Sequence, residues 1–208
     1  MEGIRRSVRM PRSKDLHGSA PDQHSDALLI IDLITDFEFP DGSKLLRNAK
    51  PLIEPLLRLK ARAHAAGVPV IYVNDNRGRW RSDRSDFIAH CMSAGSKGRD
   101  IATALCPERR DYFVFKPKHS AFFATPLDAL LKHLGTQRLL LTGVTVEQCI
   151  LMTAVEAYLR DLDIVVVRDC ATGIRERDIS ARYIEHILDG TLAPSKQVRF
   201  SRASRRSH

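Results

Sequence analysis

Five short apolar runs punctuate this chain, and each gap between them is long enough to hold a helix. The runs are 27-ALLIID-32, 69-PVIYVN-74, 112-YFVFK-116, 138-RLLLTG-143 and 163-DIVVVRD-169, with 197-QVRFS-201 as a possible sixth strand. Their apolar character is continuous rather than alternating, as in a strand buried on both faces. Between the first two, residues 44–67 show helical spacing, with Ile53, Leu56, Leu57 and Leu59 apolar. Pro51 opens the main part of that helix, Pro55 suits its first turn or marks a kink, and Gly67 stops it. Further helices are predicted up to Leu105, over 126–135, from the turn after Gly143 to near Arg160, and over 178–190. Strands alternating with helices join in parallel. The expectation is a three-layer α/β/α, Rossmann-like open parallel sheet of five to six strands. No Gly-x-Gly-x-x-Gly follows the first run, so a dinucleotide site is not supported and no cofactor is expected.

The chain has 208 residues, enough for one domain with a sizeable core. That domain is placed at residues 26–200, between basic tails at 1–25 and 201–208. The formal net charge of +8 could suggest nucleic acid, but much of it lies in these flanks, as Arg5, Arg6, Arg9, Arg12 and Lys14 and as Arg202, Arg205 and Arg206. Such tails are expected to be solvated and disordered. With no zinc-finger or aromatic RNA-binding motif, dedicated nucleic-acid binding is not expected. No apolar run approaches the ~20 residues of a membrane-spanning helix, and the first residues lack a signal-peptide core. Cytoplasmic location is the default expectation. The four cysteines, Cys91, Cys106, Cys149 and Cys170, form no Cys-x-x-Cys pair and are read as reduced thiols.

In open α/β sheets, ligands bind beyond the C-terminal ends of the strands. Asp32, Asn74, Lys116 and Gly143 each end a predicted strand, and Cys149 closely follows one. Singly these residues have ordinary explanations: a helix cap, a lysine escaping the sheet, a thiol filling space. Together they put a carboxylate, an ammonium and a thiol on one rim, a set suited to acyl transfer. A thiol in the opening turns of a helix also meets the positive end of the dipole, which favours thiolate. The helix start would offer N–H groups to an oxyanion.

Three segments carry a more specific likeness. The stretch 27-ALLIIDLITDF-37 resembles the first-strand motif of the isochorismatase-like cysteine hydrolases, an apolar run followed by Asp-x-x-x-Asp-Phe. The stretch 113-FVFKPKHSAFFATPLDALL-131 is similar to that family's Lys-x-x-x-Ser-Ala-Phe segment, and 138-RLLLTGVTVEQCILMTAVEAYLRDLDIVVVRDCATG-173 to its Gly-Val-x-x-x-x-Cys strand, turn and helix. The resemblance implies a Cys–Asp–Lys triad of Cys149, Asp32 and Lys116. It implies a cis peptide between Val144 and Thr145, and an oxyanion hole from the N–H groups of Thr145 and Cys149. It also suggests a dimer or tetramer.

The implied activity is hydrolysis of a C–N bond in a small amide through a thioester, with Asp32 as base and Lys116 keeping the charges ionised. Nicotinamidases of the family bind a metal through Asp-x-His and a further His. Here the region reads NDNRGRW, with no His until His90, so no metal is expected and a metal-dependent nicotinamidase is the alternative. Isochorismatases proper lack the cysteine. A noncatalytic binding or assembly role is the rival from another class. Phe37, Asn74, Trp80, His119 and Phe122 are candidate pocket residues, His119 with no triad role. The polar loop 75–87 is a candidate pocket wall.

Overall fold

The computed structural model describes residues 23–78, 83–175 and 177–201. Six strands form one parallel sheet: β1 (Asp26–Ile31), β2 (Val70–Asp75), β3 (Tyr112–Lys116), β4 (Arg138–Val144), β5 (Asp163–Thr172) and β6 (Thr191–Ala193). Their order across the sheet is β3-β2-β1-β4-β5-β6. The chain first builds outward from β1 through β2 to β3, then returns to the other side of β1. This places the topological switch point between the ends of β1 and β4.

The helices cover both faces. On one side lie α1 (Gly42–Ala49), α2 (Ile53–Ala65), α3 (Arg84–Met92) and α4 (Arg99–Ala104); on the other lie α5 (Leu127–Leu134), α6 (Leu151–Tyr158) and α7 (Arg177–Ile187). Strand β1 shows why its apolar run is unbroken. Leu29 and Ile31 enter the core beneath α5, α6 and α7, while Leu28 and Ile30 enter the core beneath α1 to α4. Period-two alternation with both faces buried requires an apolar residue at every position.

Three boundaries differ from expectation. The helix predicted over 44–67 is divided, because Pro51 sits in a tight turn at Lys50–Leu52 between α1 and α2. The last strand is Thr191–Ala193, paired with Val165–Val167, not 197–201. Ser195 instead starts a turn in which Asp169 accepts from its N–H and hydroxyl, while Val198 and Phe200 pack onto the core as irregular chain. The third is the helix entry at Val146–Ile150, which is a wide π turn.

The fold closes on itself at the N-terminal edge of the sheet. His24 is buried with its Nε2 on Ser201 O, and the Asp26 carboxylate holds Arg138 and the Ser201 N–H. No helix among the described residues is long and apolar enough to cross a membrane.

Candidate active site

Asp32 leaves β1 in the left-handed region, at φ 52°, while its N–H still donates to Val73 O. That turn brings its carboxylate over the end of β2, where Oδ1 accepts from the Asp75 N–H at 2.7 Å. Lys116 ends β3, two strands from β1, in register with Asp75. Its side chain spans the end of β2 and is fully buried. The ammonium lies 2.8 Å from Asp32 Oδ2, 3.4 Å from Cys149 Sγ and 3.2 Å from Lys118 O. One buried cation therefore joins the carboxylate to the thiol, with every ammonium proton given an acceptor.

Cys149 reaches this point because the chain turns sharply at the end of β4. Gly143 has φ +106°, and a Cβ there would lie 2.0 Å from Ile31 O, so any side chain would drive β4 away from β1. The next peptide bond, Val144–Thr145, is cis. The chain then enters the π turn Val146–Ile150. Thr145 O accepts from the N–H groups of Gln148 and Ile150. The Cys149 N–H between them makes no backbone bond to Thr145 O, which leaves a donor beside the sulfur.

The electrostatics correct one expectation. Burial, and then the negative charge of Asp32, push the Cys149 thiol above its ordinary range, with Lys116 pulling the other way. Burial and the Asp32 charge thus work against the thiolate that a helix start favours. Burial alone would lower the Lys116 pKa, but Asp32 and Cys149 outweigh it and hold the lysine above its usual value.

A cavity of about 920 Å³ opens onto these groups, lined by Asp32, Cys149, Thr145, Asn74 and His119 among others. Asn74 and His119 thus meet the pocket, and His119 Nδ1 lies 3.8 Å from Cys149 Sγ. Phe37 and Phe122 do not. Phe37 is fully buried beneath α1 to α4, and Phe122 lies in the opposite core with the Arg160 guanidinium over its ring. Aromatic bodies near strand ends gain more from burial than from a wet cavity. Trp80 lies outside the described residues. The described parts of loop 75–87 do reach the cavity, through Asp75, Arg77 and Phe87.

Sequence reasoning missed Arg77 and Asp36. The Arg77 guanidinium grips the Asp36 carboxylate with two N–H groups and also reaches Thr35 Oγ1, while His90 Nε2 meets the same carboxylate at 2.9 Å. The signal was present in the motif Asp-x-x-x-Asp-Phe, whose second acid is Asp36, but its partner comes from a different strand end. Cavity-lining Glu147 was also missed: its Oε1 holds the Ile174 N–H at 2.6 Å and ties the site to the loop after β5.

The residues after β2 do not fit a metal centre of the nicotinamidase kind. Two residues beyond Asp75 the expected histidine is Arg77, whose fixed positive charge repels a cation, and His90 turns to Asp36. Among the described residues, the three-donor group close enough to hold an ion is His64, Glu108 and Asp111, at the N-terminal end of β3, away from the site. There the Lys60 ammonium, 2.8 Å from Asp111, already supplies the positive charge.

Comparisons with known proteins place this geometry in context. The isochorismatase domain model matches residues 26–191. An uncharacterized isochorismatase family protein of Bacillus subtilis is 35% identical over 174 residues, covering 83% of this chain and 95% of that protein. A ureidoacrylate amidohydrolase of Methylorubrum extorquens is 27% identical over 139 residues, covering 57% of this chain and 56% of that protein. Among solved structures, N-carbamoylsarcosine amidase from Thermoplasma acidophilum superposes with a TM-score of 0.66 at 23% identity, covering 84% of this chain and 99% of that one. The chain belongs to the isochorismatase family of hydrolases.

Proposed function

We propose that this hydrolase cleaves the C–N bond of a small amide by covalent catalysis at Cys149. The observation that carries the reading is the position of buried Lys116 Nζ, in contact with both Asp32 and Cys149, which line the cavity. Asp32 accepts the thiol proton as Sγ attacks the carbonyl carbon. Lys116 stays charged and stabilises the thiolate that forms, offsetting the burial that otherwise keeps the sulfur protonated. The N–H groups of Thr145 and Cys149 receive the oxyanion. Asp32 then gives its proton to the departing ammonia or amine, and the C–N bond breaks to leave a thioester. Water hydrolyses the thioester to the carboxylic acid and restores Cys149.

An ammonia-release screen over small neutral, anionic and cationic amides tests the activity. Intact-mass measurement during turnover is expected to show an acyl adduct on Cys149. Full turnover by Cys149→Ala would exclude the mechanism, and silence across the panel with an unmodified thiol would favour a binding role. We also propose assembly into a homo-oligomer. On α7 the exposed side chains Ile179, Tyr183 and Ile187 recur every four residues as an apolar stripe. Light scattering coupled to size exclusion checks this, and a monomer at micromolar concentration would contradict it.

A further inference from the structure

The buried side-chain oxygens that lack a partner among the described residues share one place. Asn74 Oδ1, Thr145 Oγ1 and Glu147 Oε2 make no hydrogen bond, and all three residues line the cavity over Cys149. Buried polar atoms are paired as a rule, so exceptions gathered around one cavity point to a ligand.

The atoms already committed show what that ligand must offer. Asn74 is 1% exposed, and its Nδ2 donates to Ile34 O at 2.9 Å. A carbonyl only accepts, so the amide NH₂ is fixed there and Oδ1 remains as an acceptor. Glu147 Oε1 accepts from the N–H groups of Ile174 at 2.6 Å and Arg175 at 3.2 Å, which leaves Oε2 as a second acceptor. The Thr145 hydroxyl can donate or accept. The cavity therefore lacks N–H donors. Charge narrows the choice further. Along the same wall, Asp32 meets Lys116, Glu38 meets Lys97 at 2.8 Å, and Asp41 meets Arg175 at 3.1 Å. Asp75 lies in the fields of Lys116 and Arg77. Glu147 forms no ion pair among the described residues. A partly buried carboxylate without a counter-ion favours a positive ligand.

We propose that the substrate is an amide carrying a protonated amine, whose N–H groups are received by Glu147 Oε2 and Asn74 Oδ1, and that Glu147 selects it. The proposal rests on the amidase reading above and names its substrate class. An ammonium has three donors, enough for both acceptors. It also supplies the counter-ion that no described residue gives Glu147. The carboxylate stands two residues before Cys149 in the turn Val146–Ile150, so an amine held there is tied to the segment that carries the nucleophile. An anionic amide would meet a charge of its own sign.

Binding tests this apart from catalysis. Cys149→Ala, which cannot form an acyl adduct, is titrated calorimetrically with three amides of matched length: cationic 4-aminobutanamide, neutral pentanamide and anionic succinamate. The cation is expected to bind about 10-fold more tightly than pentanamide, in line with a charged hydrogen bond, and succinamate more weakly than either. Glu147→Gln in the same background keeps an oxygen for the Ile174 and Arg175 N–H groups. It is expected to lose about 10-fold in affinity for the cation while pentanamide binds as before, a split that a purely structural role would not give. Equal affinities for the cationic and neutral amides, an undiminished preference in Glu147→Gln, or no binding of the cation at millimolar concentration would overturn the proposal. The catalytic reading fails separately, if p-nitrophenyl acetate leaves no acetyl group on wild-type Cys149.

Discussion

Among the described residues are two buried lysine–carboxylate pairs, one at each end of strand β3, and their likeness is instructive. At the C-terminal ends of the strands, Lys116 contacts Asp32 at 2.8 Å. At the N-terminal end of β3, Lys60 of α2 contacts Asp111, also at 2.8 Å, and His64 holds the second oxygen of that carboxylate at 2.7 Å. Both ammonium groups have further acceptors, a lysine carbonyl in one case and Cys106 O in the other. By charge, burial and distance the pairs are nearly interchangeable. They differ in their third partner. Lys116 touches a thiol at a cavity, whereas Lys60 touches a backbone carbonyl and the Glu108 carboxylate. A buried ion pair is therefore no sign of chemistry in itself, and what sets the Lys116 pair apart is the thiol and the cavity beside it.

The largest expected effect separates the nucleophile from the scaffold. Cys149→Ala is expected to lower turnover by about 10⁴-fold or more, with little change in the urea unfolding midpoint, because the substitution removes a single sulfur atom. Lys116→Met comes next. It should cost about 10²–10⁴-fold in turnover, as loss of acid–base function does, and about 3–5 kcal/mol in stability from the uncompensated Asp32 charge. The matched change, Lys60→Met, should cost a similar 3–5 kcal/mol but leave turnover per folded molecule unchanged at a temperature where the variant is folded. A Lys60→Met protein with a stable fold and lost turnover would break the comparison, since it would make the second pair part of the site.

Much of this contrast could be read before the fold was known, and the part that could not has physical causes. Asp32, Lys116 and Cys149 were legible because parallel strands direct their C-terminal ends to one rim, so position in the run predicts proximity. The state of the thiol was not legible. A helix start suggested thiolate, but burial and the Asp32 charge depend on atoms from β1 and β3 that no local window contains. The second pair was invisible for the same reason, since Lys60 and His64 read as the polar face of a helix and Asp111 as a loop acid. Phe37 and Phe122 looked like pocket residues because aromatic side chains near strand ends serve either a cavity or a core, and only packing decides which.

The smallest effect concerns a pair intermediate between these two. Asp36 is buried, but its partner Arg77 is about one-third exposed and lines the cavity. The Arg77 hydrogen bonds are the largest influence on the Asp36 carboxyl and hold it well below the usual carboxylate range, against the opposing effect of burial. A carboxyl depressed in the folded state stabilises the fold above its unfolded pKa, about 3.9. That contribution fades as pH falls below this value and the unfolded chain takes up the proton first. Asp36→Asn is therefore expected to cost about 1.5–3 kcal/mol at pH 7, the range for hydrogen bonds to charged groups, and less at pH 3. Urea unfolding at the two pH values measures the difference. An equal loss at both would assign the effect to packing rather than charge. Because Arg77 also faces the cavity, a raised KM with unchanged kcat in Asp36→Asn would show that this pair shapes binding, unlike Lys60–Asp111, without the bond-cleaving role proposed for Asp32–Lys116.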